Sequence, residues 1–191
     1  MLPKLNARAQ LWLGKWDHVM TGALVVLLLA LAFPSAPLPS RSAAPNPPWV
    51  DLVEQQGRFI NTGLQVALPL ITRDIFALRS LIWVAVVGTT STHGLKHALN
   101  DVEVRGVRLG QRPHSENSRH NNPSGHSSMA SSAAVFVGRR YSWNWLWLLV
   151  PLTLATMYAR IALDAHTLSA TIVGAALGVL FTWPFCPRRS V

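Results

Sequence analysis

Residues 124–138, SGHSSMASSAAVFVG, decide the fold. The stretch is long enough for a helix and carries no Lys, Arg, Asp or Glu, yet it is built mainly from Ser, Ala and Gly. Such a helix offers lipid little apolar area, whereas its small side chains let neighbouring backbones come close, which puts it inside a bundle of membrane helices. Apolar runs flank it on both sides. Residues 145–161 and 166–185 follow, and residues 75–99, with the core IFALRSLIWVAVVG, precede it. Further upstream lie a strong apolar run at 19–33 and a weaker one at 58–71, interrupted by Asn61, Gln65 and Pro69. These make six candidate spans. The expected fold class is all-α, an integral membrane six-helix bundle.

Composition agrees. Half of the 191 residues are hydrophobic and 13% are charged, against roughly 25% charged in an ordinary soluble domain. The formal charge of +9 could suit nucleic acid, but the basic residues punctuate apolar runs instead of forming a stripe. The bilayer is therefore the expected partner and nucleic acid is not. A single domain over 1–191 is expected, with its core at about 75–185, an outer loop at 34–56 rich in Pro, Ser and Ala, and a polar loop at 100–123. The one cysteine, Cys186, excludes an internal disulfide and a cysteine-built metal site. Lys4, Arg8 and Lys15 ahead of 19–33 would also fit a cleaved signal peptide. An uncleaved first span is preferred because further membrane segments follow it, with Trp12 and Trp16 at the interface.

Basic residues set the orientation. With both termini cytoplasmic, the inner segments hold Lys4, Arg8, Lys15, Arg73, Arg139, Arg140, Arg188 and Arg189, as the excess of Lys and Arg on cytoplasmic loops requires. The outer loop 100–123 breaks the pattern with Arg105, Arg108, Arg112 and Arg119, and binding an anion explains them. On that outer face three pieces meet: Lys96 followed by Arg112-Pro113, then Pro123-Ser124-Gly125-His126, then Arg160 and His166. Together they suit a phosphate monoester. Lys and Arg neutralise its oxygens, Arg two at a time. Ser124 and Gly125 stand at a helix N-terminus, where free N–H groups favour an anion. Two histidines can divide nucleophilic attack from protonation of the leaving oxygen. The arrangement calls for no metal and no cofactor.

These pieces resemble the signature of the type-2 phosphatidic acid phosphatase family, in which a Lys-x6-Arg-Pro segment is joined by Pro-Ser-Gly-His and by Ser-Arg-x5-His-x3-Asp. The resemblance covers about residues 90–180. It implies a six-helix membrane fold, His166 as the nucleophile that forms a phosphohistidine, and His126 as the general acid. It also implies phosphate binding by Arg112, Arg160, Ser124 and the Gly125 amide.

The chain departs from that pattern in three places. Lys96 lies sixteen residues before Arg112, while Arg105 lies seven before it. The two compete for the first cationic position, and Lys96 is preferred because it ends a membrane helix. Ala159 stands where the family has Ser. Ala170 stands where the family has the Asp that would hold the nucleophilic histidine. Three readings stay open: Asp164 or Ser169 substitutes, the site works weakly, or the protein is inactive and retains only anion binding.

Other polar residues receive blander readings. His93 and His97 share a helix face but lack a third metal ligand. His114 and His120 lie in the polar loop with no assigned task, and Arg108 and Arg119 are expected as solvated charges. Gly174 and Gly178 form a G-x-x-x-G read as intramolecular packing. The expected function is hydrolysis of a lipid phosphate or diphosphate, with transfer to a second lipid as an alternative. The expected setting is a bacterial inner membrane with the site facing the periplasm, and the size suggests a lipid A phosphatase-like member. Oligomeric state is not legible.

Overall fold

The structure, a computed structural model, describes residues 18–36 and 46–186. Lys4, Arg8, Trp12, Lys15, Trp16, Arg41, Arg188 and Arg189 lie outside them. In chain order the elements are α1 (His18–Ala32), α2 (Pro48–Leu52), a π-helical turn (Val53–Gly57), α3 (Arg58–Ile71), α4 (Ile75–Ala98), the hairpin β1 (Glu103–Val104) and β2 (Val107–Arg108), α5 (Gly125–Arg140), α6 (Leu146–Ala162) and α7 (Leu168–Thr182), closed by a 3-10 turn (Trp183–Phe185). The fold is all-α, as the apolar periodicity predicts. Among the described residues, Ile75–Ala98, Trp143–Ala162 and Leu168–Phe185 are long and apolar enough to cross a membrane, and His18–Ala32 is apolar but shorter.

The small-residue helix is central. α5 packs against α3, α4, α6 and α7, and it buries Ser127, Ser128, Phe136, Val137 and every residue of 130–134. Close approach explains the choice of side chains. A Cβ on Gly174 would meet the Ser124 carbonyl oxygen, and one on Gly178 would meet the Ser128 carbonyl and the Ser131 hydroxyl, each well inside contact distance. Hydroxyls that would be costly in an apolar interior are paired across this seam: Ser131 Oγ donates to the Ala175 carbonyl at 2.8 Å, and Ser132 Oγ lies 2.7 Å from Thr182 Oγ1. The G-x-x-x-G is an intramolecular packing face. On its other side α7 packs against α1, and just beyond α1 the Ser35 amide and hydroxyl donate to Ser169 Oγ at 3.1 and 3.0 Å.

The polar interruptions of 58–71 face inward. Asn61 is buried, and its Nδ2 reaches the Ala130 carbonyl (3.2 Å), the Leu149 carbonyl (3.1 Å) and Thr153 Oγ1 (2.9 Å), so one side chain ties α3 to α5 and α6. Pro69 lies in the last turn of α3, and Arg73 turns the chain at φ 51°. Asp74 then starts α4, accepting from the Ala77 amide at 3.0 Å. The Asp74 carboxylate also takes both Nε (2.8 Å) and Nη2 (2.9 Å) of Arg140, clasping the start of α4 to the end of α5.

One boundary needs correction. The loop expected over 34–56 is helical from Pro48, continuing through the π-helical turn directly into α3. Proline is favoured at a first helical position, and the apolar pair behind it has a surface to cover: Val50 is buried against Ala159 and Ala162 of α6, and Trp49 stacks on Tyr158 at 5.2 Å. A composition of Pro, Ser and Ala does not reveal that docking partner. The arm 48–57 thereby rests on the C-terminal end of α6.

Candidate active site

Helix polarity gathers the site at one end. α4 and α6 end near Lys96 and Arg160, while α5 and α7 begin there, just after Ser124 and His166. Cations at helix C-termini and free N–H groups at N-termini are each favoured arrangements. Together they leave two basic side chains and two positive helix ends around one volume.

His166 sits in the α6–α7 turn, which Asp164 makes at φ 51° and which the Arg160 carbonyl closes by accepting from the Ala165 and His166 amides at 3.0 and 3.1 Å. The imidazole is 2% exposed. Its Nδ1 lies 2.7 Å from the main-chain carbonyl oxygen of Asn121. A carbonyl only accepts, so Nδ1 carries the proton and Nε2 keeps its lone pair. This is the service the family's Asp performs, supplied here by backbone. Neither Asp164 nor Ser169 supplies it. Asp164 shapes the turn, its carbonyl lying 3.2 Å from His114 Nδ1, and Ser169 is engaged with Ser35 and Thr167. At position 170 the chain uses a buried alanine whose carbonyl accepts the Ser124 amide at 2.9 Å, seating the start of α5 on α7.

Asn121 is a strut, and sequence reasoning missed it. It is 3% exposed. Its Nδ2 donates to the Leu109 carbonyl (3.2 Å) and Thr167 Oγ1 (3.0 Å), and its Oδ1 accepts from the Thr167 amide (3.0 Å). The side chain thus fixes the carbonyl that fixes His166.

Burial first, then the charges of Arg160, Lys96 and Arg112, pushes the His166 imidazole down from 6.5 to about 3, against a smaller opposing effect of the Asn121 hydrogen bond. At neutral pH it is a free base. Burial and Arg160 likewise lower the Arg112 guanidinium from its ordinary value. Cations crowded this way repel one another, and an arriving phosphate relieves the repulsion.

Each candidate residue has a definite place. Lys96 is in the last turn of α4 and its charge reaches His166. Arg105 stands instead on the hairpin at φ 54°, its guanidinium 3.9 Å above the Phe33 ring. The structure does not bring Arg105 together with His166. Arg112 is held by the Arg119 carbonyl (3.0 Å from Nε) and the His120 carbonyl (3.4 Å from Nη2). Arg160 pairs through Nη1 with Glu54 Oε1 of the π-helical turn at 2.5 Å, and its buried Nε has no hydrogen-bond partner. His126 is half-buried in the first turn of α5.

Ser124 has a structural task at the start of α5. Fully buried, it caps α5 by accepting from the Ser127 amide and hydroxyl (3.5 and 3.0 Å), and its own amide is spent on Ala170. Gly125 is open: an added Cβ would meet nothing nearer than Thr92 Cγ2 at 3.9 Å. It also lines one end of a cavity of about 300 Å³ that runs between α3, α4, α5 and α7 as far as Phe181.

The loop 100–123 is less solvated than its composition suggests. Arg108 is a strut that donates to the carbonyls of Glu116 (2.5 Å) and Ser118 (2.9 Å). Arg119 remains solvated, as expected, pairing with Asp101 at 3.2 Å while both side chains stay mostly exposed. The rings of His97 and His120 meet at 4.9 Å.

Residues 104–189 match the PAP2 superfamily. The lipid A 1-phosphatase of Helicobacter pylori strain 26695 is 43% identical over 169 residues, which cover 86% of this chain and 87% of that protein. The chain belongs to the PAP2 superfamily. The lipid A 1-phosphatase of strain J99 is 42% identical over 170 residues, with 88% and 86% covered. The lipid A 4'-phosphatase of strain J99 is 32% identical over 128 residues, 64% of each chain. No solved structure matches. The PAP2 match takes in Arg105 and leaves out Lys96, whereas in three dimensions Lys96 is among the cations acting on His166 and Arg105 is not.

Proposed function

We propose that this PAP2 protein removes a phosphate from lipid A, at the outer face of a bacterial inner membrane, through a phosphohistidine on His166. The coarser statement stands by itself: the chain is an integral membrane lipid phosphatase, by its PAP2 membership, its relatives and its spanning helices. The observation that carries the finer reading is a buried, neutral His166, its Nδ1 held by the Asn121 carbonyl, amid Lys96, Arg112 and Arg160.

In this mechanism the phosphate lies among those three cations and the Gly125 amide. Nε2 of His166 attacks phosphorus as the bond to the lipid oxygen breaks, and His126 gives that oxygen its proton. Water then attacks the phosphohistidine, His126 takes the water's proton, and His166 is restored as inorganic phosphate leaves. The cations stabilise the charge on the transferring group in both steps. The cavity beside Gly125 offers an apolar path along which the lipid tail remains at bilayer depth. The 1-phosphate is favoured over the 4'-phosphate because the 1-phosphatase relatives are more similar and match more of the chain. The Asn121 carbonyl also weighs against an inactive protein, since Ala170 no longer implies an unsupported His166. The outward orientation rests on the inner end, where Arg73, Arg139 and Arg140 lie opposite His166.

The test is phosphate release by purified protein in detergent from lipid A carrying one phosphate or the other, with chelator present and His166→Ala as control. Inorganic phosphate from the 1-position, unaffected by chelator and absent in the variant, is expected. Retained turnover in His166→Ala overturns the mechanism, and phosphate recovered on a second lipid makes the protein a transferase.

A further inference from the structure

We propose that Glu54, on the arm that precedes α3, is a positioning residue for the phosphate-binding edge of Arg160. A guanidinium has two edges, and a phosphate takes one of them through two parallel N–H groups. In an open pocket Arg160 could offer either edge, from many rotamers. Glu54 removes that freedom by holding Nη1 at 2.5 Å. The edge made by Nε and Nη2 is left, and its Nε is buried without a partner. A buried guanidinium N–H is costly to leave unsatisfied, and an anion arriving on that edge would satisfy it.

The holder is itself built. Glu54 lies in the π-helical turn Val53–Gly57, a type of irregularity frequently found at functional sites. The arm that carries it is fixed to the outer end of α6 by Val50, buried against Ala159 and Ala162, and by the Trp49–Tyr158 stack. Those contacts bracket Arg160 in sequence, so arm and arginine are registered by packing as well as by charge. The ion pair is mostly screened from solvent, with side chains 12% and 21% exposed. Glu54 acts on the reaction through Arg160, and it also offsets one of the charges crowded around His166.

The proposal rests on phosphate transfer at His166, and the experiment keeps the two apart. Glu54→Gln and Glu54→Ala are measured for KM and kcat on the lipid phosphate, alone and with Arg160→Ala, alongside His166→Ala and orthovanadate inhibition. Expected is a fall in kcat of about 10–100-fold for Glu54→Ala, with a smaller fall for the isosteric Gln. Vanadate affinity should fall in step with kcat, because the same edge of Arg160 holds that anion, while KM for the lipid changes less. With Arg160→Ala present, removing Glu54 should cost nothing further. Wild-type kcat in Glu54→Ala, or an equal loss with and without Arg160, overturns the positioning role. Turnover surviving in His166→Ala overturns the phosphohistidine reading itself, and this proposal with it.

Discussion

At the scale of single residues, the site depends on a main-chain oxygen doing what a carboxylate was expected to do. A backbone carbonyl has no signature in a sequence, so Ala170 reads as a gap. The neighbouring Asn121 looks like ordinary loop polarity until the fold brings residue 121 against residue 166. Asn121→Ala keeps the carbonyl but frees it from Thr167 and Leu109, and should lower kcat roughly 100-fold with little change in KM; an unchanged kcat would mean the strut is dispensable. A second expectation concerns pH. Burial and the neighbouring cations push the His166 imidazole from 6.5 down to about 3 in the fold, so the unprotonated form that the proposed attack requires persists well below neutrality. The unfolded chain takes up this proton first as pH falls, and stability from this group, full above 6.5, is lost toward 3. Replacing Lys96 with Gln removes one repelling charge and should move the acid limb of kcat/KM upward relative to wild type. The substrate phosphate titrates alike in both, so a limb that stays put refutes the electrostatic account.

Among the elements, α5 was the most legible and the arm 48–57 the least. The serines, alanines and glycines of residues 124–138 predict tight packing because nothing else suits them at bilayer depth, and α7 shows the complementary glycines. The arm is short, has no period to read and is stabilised only by what it meets on α6, so neither its helix nor Glu54 could be foreseen. Glycines separate packing from chemistry. Gly174→Ala drives a methyl into the Ser124 carbonyl and should cost about 1–3 kcal/mol, seen as a lower unfolding temperature in detergent. Gly125→Ala meets open space and should leave that temperature unchanged while phosphate release falls. A variant at 125 that melts early would mark this glycine as structural instead.

For the whole molecule, chemistry and clasp occupy opposite ends. Asp74 and Arg140 are nearly buried, with side chains 5% and 10% exposed. Asp74→Asn should therefore cost about 3–5 kcal/mol and lower the unfolding temperature without altering KM at temperatures where the protein is folded. Orientation is checked in intact cells by cysteine labelling in a Cys186→Ser background. Ser115→Cys should react with an impermeant maleimide from outside, and Thr72→Cys only after the inner membrane is opened. The reverse pattern would invert the proposed topology.

The bonds between Ser35 and Ser169 join positions 134 residues apart. At ~5–20 residues per second, a ribosome needs roughly 7–27 s to make the stretch between them. Throughout that interval the first helix waits in the membrane without the helix that seals it, and for the last part of it the serine face of α5 waits too. The seam is thus closed only once α7 arrives, and a nascent chain stopped short of α7 would expose an unsealed polar seam to quality-control proteases. Full-length protein should outlive a chain ending before Leu168 by a wide margin in a pulse–chase, even though every earlier helix is intact.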